Sequence, residues 1–205
     1  MTGKELIHIM KEAVATSMSR RGTTRTGQEF ENRIEKKFKL LGISKAADSD
    51  SISSSSDSTN LFPIPHSVIY KYQVKYRSVF DAAMNRHRLG SKKKMDFIIE
   101  GILSPTLYFP SIDPKKITKI SIEAKVQCSS GTAIEKLYFS INELAYGTDT
   151  ENNILLLDGK RLVGQQRRFQ AYADKLRLEI NIPKHTVRVM TVKDFDDWLE
   201  KALSS

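Results

Sequence analysis

The run Ile154-Leu155-Leu156-Leu157, closed by Asn153 and Asp158, constrains what this chain can fold into more than any other stretch. Fully apolar and without alternation, it reads as a strand buried on both faces, the kind found in parallel pairing. The segment before it, Thr132 to Tyr146, reads as a helix with Ile134, Leu137, Tyr138, Ile141, Leu144 and Ala145 on its buried stripe. Ser129-Ser130-Gly131-Thr132 supplies its turn and N-cap. A helix feeding a doubly covered strand puts the chain in the α/β class, with a mixed central sheet flanked by helices.

Upstream lies a strand of different character, Ile120-Ser121-Ile122-Glu123-Ala124-Lys125-Val126-Gln127. With period two, Ile120, Ile122, Ala124 and Val126 fall on one side and Ser121, Glu123, Lys125 and Gln127 on the other. Successive members of each row are about 7 Å apart. An acid and a base at i and i+2 are expensive to bury unless something requires them, as a divalent metal and a phosphate would. The alternative is an edge strand with a solvated charged face.

Lys94 to Leu103 is β-rich and carries Asp96 near its start. Ser104 to Lys116 holds three prolines and reads as an elaborated hairpin connection. Paired positions in an antiparallel hairpin have a constant sum, so a turn centred near Phe109-Pro110 sets Asp96 beside Glu123. Asp113 is nearer in sequence, but ten extended residues put it about 30 Å from Glu123, too far for a shared metal. Two acids with Lys125 beside them would make a magnesium site with a cation next to the phosphate it holds.

Asp96 followed by Glu123-x-Lys125 at the end of the next hydrophobic strand resembles the PD-(D/E)XK motif of the restriction-endonuclease-like nucleases. Gln127 and the Ser129-Ser130-Gly131-Thr132 loop into a helix also resemble that group, and the likeness spans roughly residues 25–158. Met95, not proline, precedes Asp96. The resemblance implies an α-β-β-α-β core and a Mg2+-dependent type II restriction enzyme cutting double-stranded DNA at a short sequence. Asp96 and Glu123 would be the metal ligands and Lys125 the third catalytic residue, orienting or deprotonating water and stabilising charge on phosphate. Gln127 would be accessory. It further implies a homodimer in the cytoplasm of a bacterial or phage-infected cell, and a glutamate from the preceding helix, Glu31 or Glu29, in the outer shell of the site. Two other readings stand beside it: a non-catalytic DNA-binding protein with a merely structural acid–lysine strand, and a repair or junction-resolving nuclease of the same fold.

Charge agrees with a polyanionic partner: the 205 residues carry a formal net charge of +9. Arg20-Arg21, Arg25, Arg86-His87-Arg88, Lys92-Lys93-Lys94 and Arg167-Arg168 are clusters, and the third and fourth lie just before Asp96. Arg86, Arg88, Lys92, Lys93 and Lys94 are therefore candidate DNA contacts. Ser130, Thr132 and Lys136 join them, because a helix start beside a metal site is placed to receive phosphate. Four scattered histidines and the single Cys128 make no zinc spacing, and a lone cysteine agrees with a reducing compartment. No apolar run is long enough to span a bilayer, and the N-terminus lacks a signal-peptide core.

Elsewhere, residues 1–205 read as one nuclease domain. Lys4 to Ser19 is a helix, and Gln28 to Leu41 is a second one with Phe30, Ile34, Phe38 and Leu41 on one face, stopped by Gly42. The Ser/Asp-rich stretch 44–60 reads as a flexible loop. Val68 to Met84 favours a helix from Tyr72 onward, and Arg86 to Lys94 a basic loop. Gln165 to Lys175 is helical with Arg167 and Arg168 outside, and Val187 to Thr191 is a late strand. Thr191 or Asp194 caps a last helix, Phe195 to Leu203, with Trp198 packed inward.

Overall fold

The computed structural model describes residues 23–46, 68–76, 93–127, 133–148, 150–179 and 185–204. Helix α1 (Thr23–Leu40) is followed by β1 (Ser44–Lys45), β2 (Ile69–Tyr76), β3 (Lys93–Ile102) and β4 (Ile117–Val126). Then come α2 (Ala133–Asn142), β5 (Asn152–Asp158), the short α3 (Lys160–Val163), α4 (Gln166–Glu179), β6 (Thr186–Thr191) and α5 (Val192–Leu203). The six strands form one mixed sheet in the order β1-β2-β3-β4-β5-β6. Antiparallel pairing runs β2–β3–β4, and β4–β5–β6 are parallel.

Both faces of the sheet are covered. On one, Phe30, Ile34 and Phe38 of α1 and Phe195, Trp198 and Leu199 of α5 pack on Phe97, Ile122, Ile154 and Leu156. On the other, Leu137 and Ile141 of α2 and Phe169 and Ala173 of α4 pack on Leu155, Leu157, Val187 and Val189. This is why Ile154 to Leu157 carries no polar residue: successive side chains enter opposite cores. The π-turn Glu143–Gly147 closes α2. At α5, Thr191 is the N-cap and Asp194 answers it in a reciprocal pair, where one or the other is expected: the Asp194 N–H reaches Thr191 Oγ1 at 3.2 Å and the Thr191 N–H reaches Asp194 Oδ2 at 3.1 Å.

The hairpin is the part that positions the site. Its register, Phe97↔Ile122 through Ile102↔Ile117, centres on residues 109 and 110. Phe109 is buried with its ring centroid 5.8 Å from that of Trp198, and the Ser104 N–H donates to the Ala202 carbonyl at 2.8 Å. The connection is thus locked to α5, and a one-residue slip would turn every side chain of β3 to the wrong core.

Several expectations are corrected. Ile69 to Tyr76 is a strand, where a helix is expected from Tyr72 onward: seven of its residues pair with β3, which supplies the backbone partners a helix would have found internally, and residues 77–84 of that expectation lie outside the described residues. Two strands therefore stand between α1 and the hairpin where none is expected. Lys93 and Lys94 belong to β3 and not to a loop, and Ser44 and Lys45 pair in parallel with Ile69 and Tyr70 and are no flexible loop. Nor is β4 an edge strand. It lies between β3 and β5, and Ser121 on its polar row is buried against Thr150, hydroxyl to hydroxyl at 2.6 Å. The 4–19 helix, residues 47–60, Arg86, Arg88, Lys92, Ser130 and Thr132 lie outside the described residues. Among the described residues no helix is long and apolar enough to cross a membrane.

Where β5 hands over to α3, Gly159 has φ +91°, and a Cβ there would stand 2.2 Å from the Gln127 carbonyl oxygen. Gly159→Ala is therefore expected to lose about 2–3 kcal/mol, the scale of one strained backbone position with its displaced neighbour. Urea unfolding checks this; an unchanged midpoint would mean that Gln127 can move aside freely.

Candidate functional site: an acid–lysine cluster where two strands part

Asp96 sits where two ladders are interrupted. The β3–β4 ladder ends at Phe97↔Ile122, one step before Asp96 would pair with Glu123. The β2–β3 ladder steps from Tyr72↔Phe97 to Val74↔Met95, leaving Gln73 opposite Asp96 without a ladder pair. Alternation fails at the same place: Met95 packs in the α2–α4 core, yet Phe97, two residues on, packs in the α1–α5 core. Gln73 has φ +53°, the one positive φ of a non-glycine residue among the described residues. A glutamine in that region costs on the order of 1–3 kcal/mol and persists only where its surroundings demand it.

The gap is filled by the Asp96 side chain. Its Oδ2 accepts from the Ala124 backbone N–H at 2.8 Å, taking a donor that a strand partner would otherwise use. Glu123 and Lys125 flank Ala124 and form a direct ion pair, partly buried. Asp96, Glu123 and Lys125 therefore meet across the hairpin. Asp113 does not: it closes its own turn, accepting from the Lys115 N–H at 2.9 Å and pairing with Lys116 at 3.7 Å.

Glu31 also arrives, from the third turn of α1. It accepts hydrogen bonds from the Tyr72 hydroxyl and from Gln73 Nε2, the latter at 3.4 Å. The same Gln73 nitrogen lies 3.4 Å from Asp96 Oδ1, so one amide bridges two carboxylates. Gln28 Nε2 donates to the Tyr72 hydroxyl at 3.2 Å. Burial, and then the bond to Glu31, hold that phenol above its ordinary range, so it remains a donor. Gln73 and Tyr72 are the site residues that sequence reasoning missed, because their stretch reads as helical.

The electrostatics follow from this crowding. Burial, then the negative charge of Glu123, push Asp96 up to about 7, against the opposing pull of the Ala124 N–H and Lys125; Glu31 adds to the rise. For Lys125, burial alone would lower the ammonium. Glu123, through charge and hydrogen bond, and then Asp96 and Glu31, outweigh burial and leave it above the ordinary lysine range. Lys125 is a cation at neutral pH.

Among the described residues no three ligating side chains form a ready-made cation cage. A hard divalent cation such as Mg2+ does not need one, since it is commonly held by one or two carboxylates and completes its shell with water and phosphate oxygens. Two carboxylates across one strand gap fit that chemistry, and their mutual repulsion is what a cation would relieve.

The remaining candidates are more scattered. Gln127 is buried, with Oε1 lacking a hydrogen-bond partner among the described residues, and its N–H donates to the Asp158 carbonyl at 3.2 Å. It belongs to the end of the sheet, four residues past Glu123. Lys94 and Lys136 are exposed, and Lys93 is in β3. Asp158, beside Val126 in the parallel ladder, is held in an ion pair by Arg33 of α1. No family model matches the chain, and no curated protein or solved structure matches it.

Proposed function

We propose that the protein is a Mg2+-dependent endonuclease that hydrolyses DNA phosphodiester bonds, of the type II restriction kind and acting as a homodimer. The observation that carries this reading is the Asp96 carboxylate turned across the hairpin onto the Ala124 N–H, beside the Glu123–Lys125 pair. The order helix, antiparallel strands, helix, parallel strand supports it, with three strands (β1, β2 and β6) beyond the α-β-β-α-β core expected from sequence.

In this reading Asp96 and Glu123 hold the cation, which when bound stabilises negative charge on the phosphate and makes water a better nucleophile. The Ala124 N–H fixes one Asp96 oxygen, and the other, held only by the long 3.4 Å contact from the Gln73 amide, is the one that would turn to a ligand. Lys125, kept protonated by its acidic neighbours, orients the phosphate and balances the charge that grows on it. Glu31 sits behind Asp96, linked through Gln73, as an outer carboxylate.

Incubation of purified protein with plasmid DNA, with and without Mg2+, tests the reading. Discrete fragments that appear only with Mg2+, from a protein sedimenting as a dimer, are expected. Intact plasmid under both conditions would refute it. Discrete cutting by a monomer would remove the homodimer alone, and cleavage confined to branched DNA would point to a junction-resolving enzyme.

A further inference from the structure

The segment from Gly159 to Ala173, which makes α3 and the first half of α4, contains four cations and no acid. Lys160, Arg161, Arg167 and Arg168 are all exposed. Among the described residues none of the four makes an ion pair. By contrast Arg33 is paired with Asp158, Lys37 with Glu200, Lys71 with Glu100 and Arg188 with Asp174. Arg167 and Arg168 stand in the first turn of α4, where the helix dipole disfavours positive charge, and no acid in that turn offsets them. Among the described residues, these four cations thus have no acid to compensate them.

The band touches α2. The Arg168 guanidinium lies over the Tyr138 ring at 5.9 Å, and Tyr138 packs edge-on against Phe169 and Tyr172 at 5.3 and 4.8 Å. At its other end the band meets the acid–lysine cluster. Leu157 pairs with Lys125, and Lys160 follows three residues later, within about 10 Å of chain. Asp158, the acid that would interrupt the approach, is already taken by Arg33.

We propose that Lys160, Arg161, Arg167 and Arg168 form a contact surface for the phosphate backbone of double-stranded DNA, leading from the acid–lysine site across α3 and α4. Its orientation toward that site rests on the nuclease reading; the binding itself does not. Arginine is suited to such a surface because its guanidinium stays charged and grips phosphate with two donors at once.

The test measures binding of a linear duplex in Ca2+ at several salt concentrations. It compares Arg161→Glu/Arg167→Glu/Arg168→Glu with a control of equal charge change, Lys39→Glu/Lys115→Glu/Lys201→Glu. The control residues are also exposed and lie at the end of α1, on the hairpin connection and in the last turn of α5. The band variant is expected to bind at least about 30-fold more weakly and to lose about 2–3 from the slope of log K against log salt, near 0.9 per phosphate contact removed. The control is expected to stay within about threefold. Equal losses in both variants would overturn the surface, since bulk charge alone would then explain binding, as would wild-type binding by the band variant or no binding by the wild type. Plasmid cleavage separates the two claims. A wild type that never cuts but loses duplex binding in the band variant keeps the surface and rejects the nuclease. Mg2+-dependent cutting unaffected by the band variant does the reverse.

Discussion

Asp96→Asn is expected to end Mg2+-dependent cleavage and, in the same protein, to raise stability at pH 8 by about 4 kcal/mol. The two effects have one origin. Asp96 is pushed up to about 7 in the folded protein, by burial first and by Glu123 next, and returns to the ordinary aspartate range on unfolding. Between those values the native state binds more protons than the unfolded state, so stability falls as pH rises from about 4 to about 7 and is level above. Asparagine keeps an oxygen for the Ala124 N–H but carries no charge, so it escapes that loss and also gives up the cation. Urea unfolding without divalent metal should show the variant ahead at pH 8, ahead by only about 1 kcal/mol at pH 4.5, and level with the wild type below the ordinary aspartate range. Cleavage by Glu123→Ala should be lost equally, while Asp113→Ala, whose carboxylate only closes its own turn, should cut nearly as well as wild type. A working Asp96→Asn, or equal stability of the two proteins at pH 8, would remove Asp96 from the site.

The hairpin was legible because antiparallel register is arithmetic: three prolines mark the connection, and a centre at 109–110 dictates that Asp96 stands across from Glu123. The apolar run of β5 and the cap of α5 were legible for similar local reasons. What sequence hid is the irregularity that builds the site. Tyr70, Tyr72, Val74 and Tyr76 alternate, but Ile69, Val74 and Tyr76 also fit a helical stripe with the residues after them. Nothing local decides between the two; pairing with β3 does. Gln73 gave no signal at all. Left-handed backbone is announced by glycine or asparagine, and a glutamine there reflects tertiary demand. Glu31 was visible only as one of two candidates, with Glu29, among the three acids of α1, and it is Tyr72 and Gln73 that single it out. The buried hydroxyl–amide group of Ser121, Thr148, Thr150 and Asn153 was equally hidden, since each residue alone reads as surface or turn.

Lys125→Met should separate binding from chemistry. The methionine keeps an unbranched apolar stem and removes the ammonium, so packing beside Glu123 changes little while the cation of the site is lost. Losing a group that stabilises developing charge commonly lowers rate by about 10²–10³, and cleavage is expected to fall at least that far. Binding of a duplex in Ca2+ should stay within a few-fold of wild type, because the proposed backbone contacts lie on α3 and α4. The pH profile of the wild type says which task the ammonium performs. With Glu123, Asp96 and Glu31 together outweighing burial, Lys125 keeps its proton through the neutral range. A residue acting as a fixed cation then leaves the rate level between about pH 7.5 and 9, whereas a general base would make it climb tenfold per unit. A climbing profile would reassign Lys125 to proton abstraction. Wild-type cleavage by Lys125→Met would take it out of the mechanism and leave the Glu123–Lys125 pair as a structural contact between β4 residues.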